Sequence, residues 1–484
     1  MIGWIRTAAL AVIAVLALAA VVDARPGGGH SSSGGGRSSS SSRSSSGGGY
    51  RSGGGGGGSI GGAGAASLLV VIVIIVIIAA AASAAKKAST DWSSGAISYT
   101  EPPRPPPDLS PLQVRDPDLS QAVLEDFVFQ LFSTAHRGRD NADALAALAP
   151  YLSDDAIAHL AVRGKAPSQI VIGTLSILDF QPATQADAND RIRVRVEATL
   201  HSASPTYVVE IWSLVRAATA TSKPPSTTYS WPCPNCGAPW QGKGDRICQH
   251  CGETMQTGKF DWTVAGIQVM SQKPALASLT GTVEEYGNDL PTVFRADAAL
   301  KMQAVTADDP QVTFEAVRAR VALVYARLNE GWNASNLAPV RGLTTTPLRD
   351  YLQYWLDEYR RQGLQNRLDN AKIEYIELSK IIRDRHFDAI TMRVRAGGND
   401  FTVNQSGKVV GGSQTFFRRY TEYWTFLRSS SRRGPVNNTP SCPSCGAALS
   451  ISDAGQCTFC DAMVENGSFD WILSKIEQDD TYTG

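Results

Sequence analysis

All eight cysteines of this 484-residue chain fall in two short clusters that share one spacing. Cys233, Cys236, Cys248 and Cys251 stand as two Cys-x-x-Cys pairs with eleven residues between them, and Cys442, Cys445, Cys457 and Cys460 repeat the arrangement. Each cluster then runs, at the same offset, into Phe-Asp-Trp at 260–262 and 469–471. Four thiolates can surround a zinc ion tetrahedrally at about 2.3 Å each and leave no position open for water, so two structural zinc ions are expected. Cys-x-x-Cys supplies two ligands from one tight turn, and the next residue often needs positive φ. Gly237, Gly252 and Gly446 hold that place in three turns and Asp461 in the fourth. The short loop between pairs suits two facing hairpins, a zinc ribbon. A catalytic redox pair would call for a βαβ context that the pattern lacks, and disulfides would need an oxidising compartment. His250, inside one knuckle, reads as bystander surface beside four thiolates. Phe-Asp-Trp is expected to begin a strand or turn that packs each ribbon against its neighbour, with the aromatics as anchors.

The clusters close two copies of one plan. Copy one opens at Asp116 with "DPDLSQAVLEDFVFQLFSTAH" and copy two at Asp309 with "DPQVTFEAVRARVALVYARL". In each, Asp followed by Pro suits a helix N-cap and first-turn position. Apolar residues then recur at helical spacing, as at Val123, Phe127 and Leu131. Shorter helical stretches follow at 141–152 and 154–162, and in copy two residues 347–368 form the longest helix candidate. Strand-like runs come next: 168–180, 191–201 and 206–217 in copy one, and 373–382, 387–396 and 419–429 in copy two. The alternation in "RIRVRVEA" fits a sheet with one wet face. On the last strands Glu210, Trp212 and Arg216 align with Glu422, Trp424 and Arg428. Helices first and an antiparallel sheet afterwards predict an α+β domain with its helices packed on one face.

Ahead of the copies lie two apolar runs. Arg6, the run Ala8 to Val22 and the small-residue exit at Ala24 have the layout of a signal peptide. The second run, Ala65 to Ala85, has 21 residues and no charge; as a helix it would span about 31 Å, enough for a bilayer core. Lys86 and Lys87 end it and place the following chain on the cytoplasmic side, against a weaker opposing vote from Arg37, Arg43 and Arg51. Whether the first segment is cleaved or retained, residues 86–484 are expected in the cytoplasm, where thiols stay reduced. The Gly/Ser stretch between the runs cannot bury enough apolar surface to order itself, and "YTEPPRPPPDLSP" is a semi-extended spacer.

Formal net charge is zero. The first 85 residues hold five arginines and one aspartate, which leaves 40 basic and 44 acidic residues, a net of −4, for the rest. A weakly acidic body argues against nucleic acid. There is no phosphate-binding Gly-Lys-Ser/Thr loop and no His-Glu-x-x-His. Besides His30 in the Gly/Ser stretch and His250 in the knuckle, His136, His159, His201 and His386 are scattered without an evident partner. Glu210 and Glu422 are the best conceivable pocket acids, but one carboxylate per domain makes a weak general acid, and a sheet-edge salt bridge is the expected role. Arg360, Arg361, Arg367, Arg383 and Arg385 form a basic run in copy two. It reads as a solvated face with acids such as Asp369 and Asp384 nearby, or as a contact with anionic lipid headgroups.

The order of these features resembles the bacterial Tim-forty-four-like membrane proteins. "RRYTEYWTFLRS" and "CPSCGA…GQCTFCDA…GSFDWILSKIEQ" carry the likeness, which covers residues 309–478 best and 116–267 more loosely. It implies a cystatin-like, nuclear-transport-factor-like roll, with helices against a curved antiparallel sheet. The mitochondrial namesake is a peripheral inner-membrane subunit that binds anionic lipid and recruits an import motor; of its properties, membrane association and protein binding are what the resemblance implies here. This chain departs from the namesake in its own membrane segment, its two ribbons and the lack of a charged coiled region. The expected organisation is a signal or first membrane segment (1–24), a Gly/Ser-rich segment (25–64), a transmembrane helix (65–85) and a Pro-rich linker (86–115). A first α+β domain (116–228) and ribbon (229–267) follow, then a connecting segment (268–308), a second α+β domain (309–435) and a second ribbon (436–478). The expected function is a non-enzymatic scaffold or adaptor at the cell membrane that binds protein or lipid, linked to protein translocation or envelope assembly. The alternative is a small-ligand-binding, hydrolase-like or isomerase-like pocket in one roll.

Overall fold

The computed structural model describes residues 20–21, 107–202, 204–223, 231–241, 246–275, 277–279, 288–436, 441–452, 456–462, 464–465, 467–479, 482 and 484. The expected Gly/Ser segment and transmembrane helix, and most of the signal segment and linker, lie outside them. Ala20–Val21 is a short strand parallel to Ala277–Ser278. Among the described residues no helix is long and apolar enough to cross a membrane.

Helix α1 (Ser110–Arg115), α2 (Gln121–Gly138), α3 (Ala142–Ala146) and α4 (Asp154–Ala161) precede strands β1 (Gln169–Gln181), β2 (Asn189–His201), β3 (Thr206–Ala217) and β4 (Thr263–Pro274). The four strands form one antiparallel sheet in the order β1-β2-β3-β4. Along β2, Ile192, Val194, Val196, Ala198 and Leu200 are buried, while the alternating Arg191 and Arg193 face solvent. Each large apolar side chain so buried contributes about 1.5–3 kcal/mol. Leu124, Val128, Leu131 and Phe132 of α2 fill the same core with Trp212 and Trp262.

The second half repeats this plan. Helices α5 (Ala298–Asp308), α6 (Phe314–Asn333) and α7 (Thr346–Arg361) lead into β5 (Leu364–Arg383), β6 (Phe387–Asn404), β7 (Val409–Gly412), β8 (Arg418–Ser429) and β9 (Ile472–Gln478). The sheet order is β9-β8-β6-β5, with β7 beside β6. Both halves are therefore α+β with antiparallel sheets. They touch: Val171 of β1 packs into the second core, the His201 ring lies 4.7 Å from Tyr354, and Arg385 meets Asp118 at 2.9 Å.

The structure moves several expected boundaries. Residues 347–368 are not one helix: α7 stops at Arg361, Gly363 turns the chain at φ 67°, and residues from Leu364 pair with β6. The longest of the described helices is α6, at 20 residues. The expected connecting segment 268–308 holds the end of β4 and all of α5.

Asp116 and Asp309 do not cap the helices that follow them. Ser120 and Thr313 do, by accepting from Val123 N and Ala316 N. Asp116 instead ends α1 and turns its carboxylate to the fully buried Arg216, at 2.8 Å, and Asp309 meets Arg428 at 3.1 Å. A buried guanidinium is a stronger claimant on a carboxylate than a helix N–H.

The ribbons are not appended to finished domains. Each cysteine cluster lies in the chain between the third and fourth strands of the main sheet, between β3 and β4 and between β8 and β9. Each Phe-Asp-Trp is split by its surroundings: Phe260 and Phe469 pack on the cysteine clusters, whereas Trp262 and Trp471 sit in the cores of the rolls.

Candidate metal centres and buried carboxylates

Each knuckle is a tight turn closed by backbone bonds. Gly237, Gly252, Gly446 and Asp461 donate to the carbonyls of Cys233, Cys248, Cys442 and Cys457 at 2.8–2.9 Å. All four have positive φ, at 75°, 71°, 75° and 56°. Three are glycines, without a Cβ to clash, and the fourth is Asp, among the better tolerated side chains there. The first cysteine of every pair is buried and the second is exposed, so both clusters open on one side to solvent.

The sulfurs of Cys233, Cys236, Cys248 and Cys251 lie within 4.8 Å of one another, as do those of Cys442, Cys445, Cys457 and Cys460. The bridging distances are 3.9 Å for Cys233–Cys251, 3.8 Å for Cys236–Cys248, and 3.9 Å for both Cys442–Cys460 and Cys445–Cys457. A tetrahedron with metal–sulfur bonds of about 2.3 Å has edges of about 3.8 Å. A disulfide would bring two sulfurs to about 2.05 Å, and all eight thiols are free. Donor set and spacing thus fit a four-thiolate metal ion in both clusters. Backbone N–H groups, that of Cys251 foremost, bring the Cys248 thiol down to about 6, while burial pushes Cys233 up to about 12. In the second cluster the Phe459 N–H leads in bringing Cys457 down to about 7. Each cluster therefore presents one thiol already inclined to the thiolate that a metal needs. His250 is exposed and outside the sulfur group.

Both ribbons are tied to a loop among the helices of their own half, the one after α3 in the first and the one after α6 in the second. Arg246 donates to Ala149 O at 2.7 Å and Leu152 O at 2.8 Å and pairs with Asp154, while the Tyr151 hydroxyl donates to Pro232 O at 2.8 Å. In the second half Arg341 donates to Ile451 O at 2.7 Å, and Glu465 accepts from Thr346 and pairs with Arg349. A cavity of about 850 Å³ opens beside this second contact, lined by Arg341, Asp350, Gln353, Leu449 and Ile451 among others. Neither Glu210 nor Glu422 lines it.

Glu210 and Glu422 are not on a sheet edge. They lie on the third strands, β3 and β8, each flanked by a strand on both sides, and both are fully buried. Each accepts from the indole of its own Trp, Trp212 or Trp424, at 2.9 Å. The first also meets His136 Nε2 at 3.3 Å and pairs with Arg163. Arg139 Nη1 lies 3.3 Å from His136 Nδ1 and can only donate, so the neutral ring carries its proton on Nε2, toward Glu210. Burial pushes Glu210 up, but the bond from His136 and the charge of Arg163 outweigh it and hold the carboxyl at about 2. Burial lowers His136 below the ordinary imidazole range. Counted from the caps Ser120 and Thr313, the residue of the second half that matches His136 is Asn329, which donates to Tyr325 O at 2.8 Å, while Gln478 donates to Glu422 at 3.1 Å. His136 is thus a buried partner of Glu210 rather than a scattered surface histidine. Its spacing, four residues after Phe132 on the buried face of α2, was the available signal.

The basic run of copy two is spread over α7, β5 and the turn after it, and each arginine meets an acid. Arg360 pairs with Asp357, Arg361 with Glu358, Arg367 with Asp369, Arg383 with Asp308 and Asp388, and Arg385 with Asp118. Asp384 instead accepts from the backbone of His386 and Phe387.

The described chain is thus a pair of α+β rolls, each with a four-cysteine ribbon set into its sheet. Residues 298–440 match the family model described as Tim44-like domain. The match begins with α5 and ends just before Cys442, so it takes in the helices and most of the sheet of the second roll and leaves out its ribbon and β9. No curated protein matches the chain. Among solved structures, an "Ntf2 like protein involved in plasmid conjugation" is 8% identical with a TM-score of 0.17, over 74% of this chain and 96% of that one.

Proposed function

We propose that this protein is a membrane-anchored, non-enzymatic scaffold whose two rolls dock protein partners, in a setting of protein translocation or envelope assembly. The observation that carries the reading is the Tim44-like match over the second roll. At the level of the family it supports a membrane-associated, translocation-related role, and the same plan is repeated in the first roll. The two four-cysteine clusters hold structural zinc, which four thiolates favour and which a reducing cytoplasm permits. In this reading the run at 65–85 crosses the membrane once, after signal cleavage, and residues 86–484 face the cytoplasm. Protein is favoured over anionic lipid as the partner, because each arginine of the basic run is already paired with a carboxylate. Glu210 and His136 satisfy one another and Trp212 inside the core, which supports a packing role for them rather than a pocket.

The test joins topology to partner capture. A reporter fused after Gly484 that is active only in the cytoplasm should be active. Photo-crosslinkers placed at the exposed Phe294 and Tyr375 should give discrete adducts with the same membrane-fraction proteins in repeated captures. A reporter active only outside the cytoplasm, or no adduct from any surface position, overturns the reading.

A further inference from the structure

We infer that each four-cysteine cluster is a metal-operated clasp for the last strand of its sheet: with metal bound the strand is docked, and without it the strand is released from the sheet edge. The inference rests on the clusters holding metal, as proposed above, and concerns what that metal controls.

The chain leaves the sheet at Ala217, passes through the first cluster and returns at Thr263; in the second half it leaves at Ser429 and returns at Ile472. The returning strands are sheet edges with one strand neighbour each, β4 on β3 and β9 on β8. Where the chain returns, both halves use the same clamp. Val264 N donates to Tyr151 O and Ser153 N to Val264 O; Leu473 N donates to Leu343 O and Thr345 N to Leu473 O, all at 2.9 Å. The clamped loops at 151–153 and 343–345 are the ones the ribbons hold, through Arg246 and Tyr151 in one half and Arg341 and Glu465 in the other. Just before the return, Gly258 O accepts from Ala217 N at 2.7 Å and Gly467 O from Ser429 N at 2.8 Å, which fastens the ribbon exit to the end of the third strand.

The ribbons have little else to keep them folded. Apart from cysteine, Met255 is the buried residue of the first ribbon core, with Trp240 and Phe260 packed against it. Ile451 and Val464 serve the second, with Leu449 and Phe469 beside them. Cores of that size do not fold small modules without a metal or a disulfide. Loss of the metal should therefore melt the ribbon, free the clamped loop and leave the fourth strand held by one strand neighbour and by its few core side chains, Trp262 and Val264 in one half and Trp471 and Leu473 in the other.

Hydrogen exchange of the full chain in detergent, before and after chelation, tests this, with the metal content of each sample measured in parallel. Exchange in 263–274 and 472–478 should accelerate at least tenfold on metal removal while 189–217 and 387–404 stay protected, and added zinc should reverse it. Cys236→Ser should free only 263–274 and Cys445→Ser only 472–478. Unchanged exchange of both strands in metal-free chain overturns the clasp and leaves the zinc reading intact, since Trp262 and Trp471 would then suffice as anchors. Equal loss across a whole roll also overturns it. A chain that is purified without metal overturns the zinc reading and the clasp together.

Discussion

Replacing Asp116 by Ala should destabilise the first roll far more than its place in a loop after a short helix implies. Its carboxylate accepts from Ser222 N at 2.9 Å and Ser222 Oγ at 2.8 Å and pairs with Arg216 at 2.8 Å. Arg216 is fully buried on β3, with its guanidinium 4.7 Å over the Trp262 ring. Removing the carboxylate leaves the buried cation with the Ser222 hydroxyl, the indole face and the more distant charge of Asp261, and a broken buried pair typically costs about 3–5 kcal/mol. At about 1.4 kcal/mol per tenfold, that is roughly two to three and a half powers of ten in the folded-to-unfolded ratio. Removing both charges avoids the orphaned cation, so Asp116→Leu with Arg216→Met should recover most of the loss. The assay is urea-dependent hydrogen exchange of residues 206–217, which reports on the strand that carries Arg216. A loss below about 1 kcal/mol for Asp116→Ala, or a double variant worse than the sum of the singles, would refute the reasoning.

Acid should weaken the first roll before the second. A carboxylate held near 2 contributes stability that is full above its unfolded value of about 4.3 and is lost as pH falls toward 2. A buried neutral imidazole also costs stability as pH falls below about 6.5, because the unfolded chain takes the proton more readily. His136→Asn should flatten the dependence just below about pH 6.5 and, because the bond from His136 leads in holding Glu210 down, should also weaken the loss below pH 4; circular dichroism across pH checks this. Gly258→Ala and Gly467→Ala should each destabilise by about 1–2 kcal/mol, since φ is 76° and 77° and the added Cβ would lie 3.0 Å from Val215 O or 3.2 Å from Leu427 O. Urea midpoints of the two variants give the measurement, and a neutral result would remove these glycines from the account.

What the sequence could disclose depended on how local the cause was. The knuckles were legible because two donors and a positive-φ residue are written within each turn, and Asp461 took the conformation its position demanded. The strand at 189–201 was legible because burial on one face writes an alternation into Ile192, Val194 and Val196. Asp-Pro at 116 and 309 misled because the local pattern fits a cap equally well, and only the distant Arg216 and Arg428 decide otherwise. The end of α7 was hidden because "RRQGLQNRL" is polar enough for a helix surface or an edge strand, and Gly363 alone marks the turn. Insertion of the ribbons within the sheets was not local at all. Pairing of 263–274 with 206–215 is a fact of register across a long excursion, and Phe-Asp-Trp was only its doorstep.

The most direct test of the account is the metal and thiol content of the full chain purified from membranes, by native mass spectrometry with thiol counting. Two zinc ions and eight reduced cysteines per chain are predicted, falling to one zinc in Cys236→Ser or Cys445→Ser. A chain with no metal and its cysteines joined as disulfides would contradict both the metal centres and the cytoplasmic placement of the rolls.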